Sequence, residues 1–261
     1  MLIAALGSSF AAGPTLEPVA DRAAMRSALN YPHRLAAALG AQLVDLTVSG
    51  ATCATILDHH QAIAPGVRFP PQLDGLPADA DLVTVTAGGN DLRFIGSMLT
   101  AAWQRHDPRS AMAVVLAGQQ QPAIPETGTP AFAGAVGSVA ADLARIVARV
   151  RARAPRARVV LVDYLTVLDP GARSAVVEFT DAELAGFRAR QDGLEEAFRI
   201  AADRSGAQLV AASEHSRGHG LGSGRPWVAD FVPDARRTAG SFHPTAAGMA
   251  AVAELLVRAL S

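Results

Sequence analysis

Five short apolar runs, each bounded by Gly, Pro or charged residues, constrain the fold of this chain more than any other feature: Leu2–Leu6, Gln42–Val48, Asp81–Ala87, Arg158–Asp163 and Ala207–Ala211. Their length and their Val, Ile and Leu content fit parallel strands covered on both faces. Between them lie segments with helical spacing, at Tyr31–Leu39, Val136–Ala154, Asp181–Ser205 and Pro244–Leu260. In the second, Val139, Leu143, Ile146, Val147 and Val150 share one face, with Asp142, Arg145, Arg149 and Arg151 mainly elsewhere. This alternation predicts an α/β fold, a three-layer α/β/α sandwich with a five-stranded parallel sheet and right-handed crossovers. Thr180 before Asp181 and Glu183 reads as a helix N-cap with an acidic first turn, and Pro244 reads as the first residue of the last helix.

A chain of 261 residues, half of them apolar, fits one domain spanning 1–261. Segments 96–132 and 213–241 read as irregular excursions around the rim of a site; the first contains Ala111–Ala117 and Gln119–Gln121. The formal charge of −1 gives no electrostatic case for nucleic acid or an anionic membrane. No run approaches the roughly 20 apolar residues of a transmembrane helix. Met1-Leu2-Ile3 enters the first strand without a basic leader, so the sequence as it stands predicts a cytoplasmic protein, or a secreted one if a signal peptide has been removed. Cys53 is the only cysteine, which excludes an internal disulfide.

Ligands of open parallel sheets bind beyond the carboxyl ends of the strands. Small or polar sequences stand at three such ends: Gly7-Ser8-Ser9, Ser49-Gly50-Ala51-Thr52 and Gly88-Gly89-Asn90-Asp91. Far downstream, Ser241-Phe242-His243-Pro244 offers a base for an exposed serine. Together these blocks point to a serine hydrolase.

In order and spacing the blocks resemble the SGNH hydrolase superfamily, the GDSL-type esterases and lipases. The resemblance implies a flavodoxin-like sheet, Ser9 as nucleophile, His243 as base, and an oxyanion hole made by Ser9, Gly50 and Asn90. Gly88-Gly89-Asn90-Asp91 after an apolar strand is its most specific piece. Gly218-His219-Gly220 followed by Pro226-Trp227-Val228 is similar to the loop before the histidine block in secreted actinobacterial-type relatives. No metal or organic cofactor is implied. The chemistry fits these residue types, because a serine hydroxyl becomes nucleophilic when an imidazole takes its proton, and fixed donors stabilise the oxyanion.

Two positions depart from the family pattern. Ser8 stands where Gly-Asp-Ser has aspartate, and Gly240 stands where the family's Asp-x-x-His places the triad acid. A backbone carbonyl near Gly240 or Ser241 orienting the imidazole is the preferred reading, giving a Ser9–His243 dyad. Asp230 or Asp234 reaching the ring from the preceding loop is a second, and weak or absent catalysis a third. The expected activity is hydrolysis of a carboxylic ester of short or medium acyl chain, with a small-molecule or lipid ester as partner. The alternatives are a carbohydrate O-deacetylase, a lipase, or a noncatalytic ligand-binding member.

Other chemistry-bearing residues have plainer readings. His215 and His219 lack a clear third metal ligand, and His59-His60 reads as a solvated pair at a helix end. Cys53 reads as a small buried side chain and Asp91 as an organiser of the Asn90 loop. Phe94, Ile95, Met98, Leu99 and Trp103 have helical spacing and read as core or pocket wall.

Overall fold

The computed structural model describes residues 1–118 and 125–261; Gln119–Gln121 of the expected first excursion lie outside them. In chain order the elements are β1 (Leu2–Gly7), α1 (Ser9–Ala12), β2 (Val19–Asp21), β3 (Arg26–Ser27), α2 (Tyr31–Ala38), β4 (Gln42–Asp45), α3 (Cys53–Leu57), β5 (Gln61–Ala64) and β6 (Val67–Phe69). They continue with β7 (Leu82–Thr86), α4 (Phe94–His106), α5 (Ala111–Gly118), α6 (Pro130–Arg153), β8 (Arg158–Val162), α7 (Asp181–Ser205), β9 (Gln208–Val210), α8 (Ala212–His215) and α9 (Ala246–Leu260).

All five expected strands form one parallel sheet in the order β4-β1-β7-β8-β9. The chain starts near the middle and reverses direction between β1 and β7, which makes the crevice above their carboxyl ends the natural ligand site of this topology. Ile3 to Gly7 and all of β7 are buried, as strands covered on both faces must be. On either side, α2 pairs with α9, and α6 packs against α7 and α3. The antiparallel pairs β2–β3 and β5–β6 were not legible as strands in the sequence, being two to four residues long.

The long helices follow from their ends and faces. Thr180 caps α7 by accepting from the Glu183 amide, while the Glu183 carboxylate accepts from the Thr180 amide. Helix α6 begins at Pro130, six residues before the sequence expectation, because Thr129 accepts from the Phe132 amide and proline fits the first turn. By length and composition alone α6 would suit a bilayer. Instead its Val139, Leu143, Ile146, Val147 and Val150 are buried in the core, and Arg145 and Arg149 on it pair with Asp58.

Two expectations are corrected. Segment 96–132 is not a mainly irregular excursion: α4 and α5 occupy most of its described residues, with Phe94, Met98 and Trp103 of α4 in the core. The last helix starts at Ala246, capped by Thr245, so Pro244 lies outside it. Segment 213–241 is largely irregular, with the end of α8 and a short 3-10 turn at Thr238–Gly240.

Candidate active site

The apolar strand β1 delivers Ser8 and Ser9 to the sheet edge, where Ser9 is the first residue of the four-residue α1. The amide at a first helical position has no intrahelical acceptor, so the Ser9 N–H is left over by the geometry of the turn. Gly7 is needed for close approach, since a Cβ there would lie 2.6 Å from the Thr86 carbonyl oxygen of β7. Gln72 holds the same residue from outside the sheet, accepting from the Gly7 N–H at 2.8 Å and donating to its carbonyl at 3.0 Å.

His243 reaches this serine from the far end of the chain. Its Nε2 lies 2.8 Å from Ser9 Oγ and its Nδ1 lies 2.8 Å from the Ser241 carbonyl oxygen. A carbonyl can only accept, so Nδ1 carries the ring proton, and the Nε2 lone pair faces the serine hydroxyl, which donates. The arrangement can therefore take a proton from Ser9. His243 is 6% exposed, and burial pushes its pKa down to about 4 against the opposing bond to Ser241.

The turn that brings the Ser241 carbonyl under the ring depends on Phe242, a non-glycine residue at φ +61°. Such backbone costs on the order of 1–3 kcal/mol and needs support from its surroundings. That support is visible: Phe242 is fully buried between Phe179 and Phe231, its amide donates to the Ala229 carbonyl, and the Ala229 amide donates to the His243 carbonyl. Trp227 holds the next residues, its carbonyl accepting from the Thr245 amide, while its indole stacks on His219 at 3.8 Å.

Neither Asp230 nor Asp234 is the partner of His243. Asp230 accepts from Ser174 Oγ, the Ala175 amide and the Phe231 amide, and Asp234 accepts from the Arg236 amide. Nor is there room for an acid at Gly240. A Cβ at that position would overlap the Oγ1 of Thr15, which fills the space beside the histidine loop.

Gly50 and Asn90 are tied together at the neighbouring strand ends. Asn90 Nδ2 donates to the carbonyl of Ala51, the residue after Gly50, at 2.8 Å, leaving its second N–H. Gly50 turns the chain at φ +81°, a conformation that favours glycine. Asp91 accepts from the Cys53 amide with both oxygens, at 3.2 and 3.1 Å, and so fastens the Asn90 loop to α3. Burial raises the pKa of Asp91 and pushes the Cys53 thiol up as well, leaving that thiol poorly disposed to ionise.

Tyr164 and Gln72 were missed as functional candidates, whereas the Ser241 carbonyl is one of the two backbone acceptors the sequence reading preferred for the imidazole. Tyr164 follows β8 at the same sheet edge as the other blocks, which was a usable signal; Gln72 opens a 3-10 turn at Gln72–Gly75 and carries none. His59 and His60 are exposed, His215 contacts Arg258, and no group of three metal-ligating side chains occurs among the described residues. A cleft of about 570 Å³ along Arg173–Asp181 excludes Ser9 and His243, so the hydrogen-bonded pair, not cavity size, locates the site.

Comparison with known proteins places the chain in a family. Residues 5–251 match the model of the GDSL-like Lipase/Acylhydrolase family. Lipase 2 of Streptomyces coelicolor is 34% identical over 220 residues, spanning 82% of this chain and 70% of that protein. The structure of an extracellular lipase from Streptomyces rimosus superposes with a TM-score of 0.73 at 24% identity over 99% of both chains. A phospholipase A1 from Streptomyces albidoflavus gives 0.75 at 23% identity over 98% of both, a likeness of fold. With a family match across nearly the whole chain, this protein is a hydrolase belonging to the GDSL-like lipase/acylhydrolase family.

Proposed function

We propose that this chain is a serine esterase that cleaves carboxylic esters through an acyl-Ser9 intermediate. The observation that carries the reading is the 2.8 Å contact between His243 Nε2 and Ser9 Oγ, with the ring oriented by the Ser241 carbonyl. His243 takes the Ser9 proton as Oγ attacks the ester carbonyl, then gives it to the departing alkoxide. Water, activated by the same imidazole, attacks the acyl carbonyl and releases the acid. The Ser9 and Gly50 amides and Asn90 Nδ2 stabilise the oxyanion in both halves.

Esters of short or medium acyl chain are the expected substrates. The lipase names of the relatives keep longer lipid esters in view, and an O-acetylated sugar would use the same chemistry. The description of one structural relative as extracellular favours an exported protein over the cytoplasmic placement expected from the sequence. The test is a p-nitrophenyl ester series from acetate to palmitate on wild type, Ser9→Ala and His243→Ala, each checked for folding. Turnover that disappears in both variants supports the dyad, and its chain-length profile sizes the acyl site. Folded wild type inactive on every ester would instead favour a noncatalytic binding role.

A further inference from the structure

Tyr164 touches two of the three blocks assigned to the oxyanion hole. Its hydroxyl lies 2.7 Å from Ser8 Oγ and accepts from the Gly89 amide at 3.1 Å. Ser8 immediately precedes Ser9, and Gly89 immediately precedes Asn90, so one oxygen atom links the residues adjoining two of the three oxyanion donors. Ser8 is fully buried and Tyr164 is 4% exposed. The contact with the Asn90 loop is close: a Cβ on Gly89 would lie 2.6–2.8 Å from Tyr164 Cε1, Cζ and OH, so only glycine admits the ring. The ring also packs on Phe10 at 4.4 Å between centroids, and Phe10 lies 5.3 Å from the His243 ring. Burial raises the phenol pKa well above its usual value, so the hydroxyl stays protonated and keeps a hydrogen to share with Ser8.

We propose that Tyr164 is a positioning residue that sets the spacing between the Ser9 amide and the Asn90 side chain by bridging Ser8 and Gly89 through its hydroxyl. It acts through those donors and does not touch substrate. The serine at position 8, where the family pattern has aspartate, is the matching half of this bridge: its short hydroxyl meets the phenol and leaves the span to Gly89 to the tyrosine. Positioning matters because an oxyanion donor works only when held where the charge develops. The proposal rests on the oxyanion reading of Asn90 given above.

The experiment is a double-mutant cycle with Tyr164→Phe and Asn90→Ala on p-nitrophenyl butyrate, reading kcat and KM separately at matched folded fractions. Phenylalanine keeps the ring and deletes the bridge. Alone, Tyr164→Phe is expected to lower kcat roughly tenfold, the scale of one lost buried hydrogen bond, with KM within about twofold. In the Asn90→Ala background, where the positioned donor is gone, its effect should shrink to less than about threefold. Effects that simply multiply would overturn the proposal, as would an unchanged kcat accompanied only by a lower melting temperature. Wild-type turnover in Asn90→Ala would mean that the oxyanion reading had failed instead. Should Tyr164→Phe not fold, Ser8→Ala severs the other limb of the bridge and carries the same predictions: a kcat loss that fades with Asn90→Ala supports the bridge, and a multiplicative or absent loss refutes it.

Discussion

The acid limb of the activity reports how His243 is oriented. An imidazole paired with a carboxylate is held toward its charged form, whereas this one is buried and donates only to the neutral Ser241 carbonyl, so its pKa falls to about 4. The base is competent only when neutral. Near pH 5.5 an ordinary imidazole is about one-tenth neutral, while one titrating near 4 is almost wholly neutral, so the expected kcat/KM there is about tenfold above that of an unshifted histidine. The assay is kcat/KM between about pH 4 and 8, with released alcohol measured after quenching and folding followed by circular dichroism at each pH. The account predicts a limb centred well below 6. A midpoint at or above 6.5 in folded protein would refute it, because it would require a solvated ring or a carboxylate partner. Linkage adds a second readout. The unfolded chain binds a proton that the folded ring refuses, so this histidine's contribution to stability is fully present above pH 6.5 and is lost as pH falls toward 4, by about 3 kcal/mol.

Asp163 opposes that slope. Buried at the end of β8 and accepting from the Ser213 amide and hydroxyl, it has a pKa pushed up by burial to about 7. The folded state keeps a proton that the unfolded chain releases, so its contribution is lost as pH rises from about 4 to 7, by about 4 kcal/mol. Asp163→Asn should therefore expose a stability that climbs with pH across this window, measured by urea unfolding; an unchanged pH slope would count against the assignment. Restoring the family's acid should fail here, since the side chain of Gly240→Asp meets Thr15. We expect a stability loss of about 1–3 kcal/mol and lower, not higher, kcat/KM, checked by urea melts and initial rates.

Much of the fold was legible because local signals agreed. Each sheet strand was announced by its apolar run, and Thr180 with Glu183 marked the start of α7 within the sequence itself. Legibility failed where a local signal was diluted. Gly134 and Gly137, with low helix propensity, hid the first turns of α6, and Pro244 suggested a helix start that Thr245 takes instead. The hairpins β2–β3 and β5–β6 were too short to show a period. In the candidate site, the order of Ser9, Gly50, Asn90 and His243 was readable in the sequence, and a carbonyl near Gly240 or Ser241 was the preferred partner of the imidazole, but the residues alone left Asp230 and Asp234 open beside it. A backbone carbonyl has no residue identity, and the occupation of the space at Gly240 by Thr15 is a contact across 225 positions of chain. Gln72 was silent for the same reason, and Tyr164 showed only its place at the sheet edge, since both act through contacts between distant segments.

The central claim is a covalent acyl-Ser9 intermediate formed with His243 as base. The most direct measurement mixes enzyme with p-nitrophenyl butyrate, quenches in acid during turnover, and maps the acylated peptide by mass spectrometry. The account predicts one butyryl group on Ser9, absent from Ser9→Ala and formed far more slowly in His243→Ala. Sustained ester turnover by Ser9→Ala, or an acyl group trapped on another residue, would contradict it.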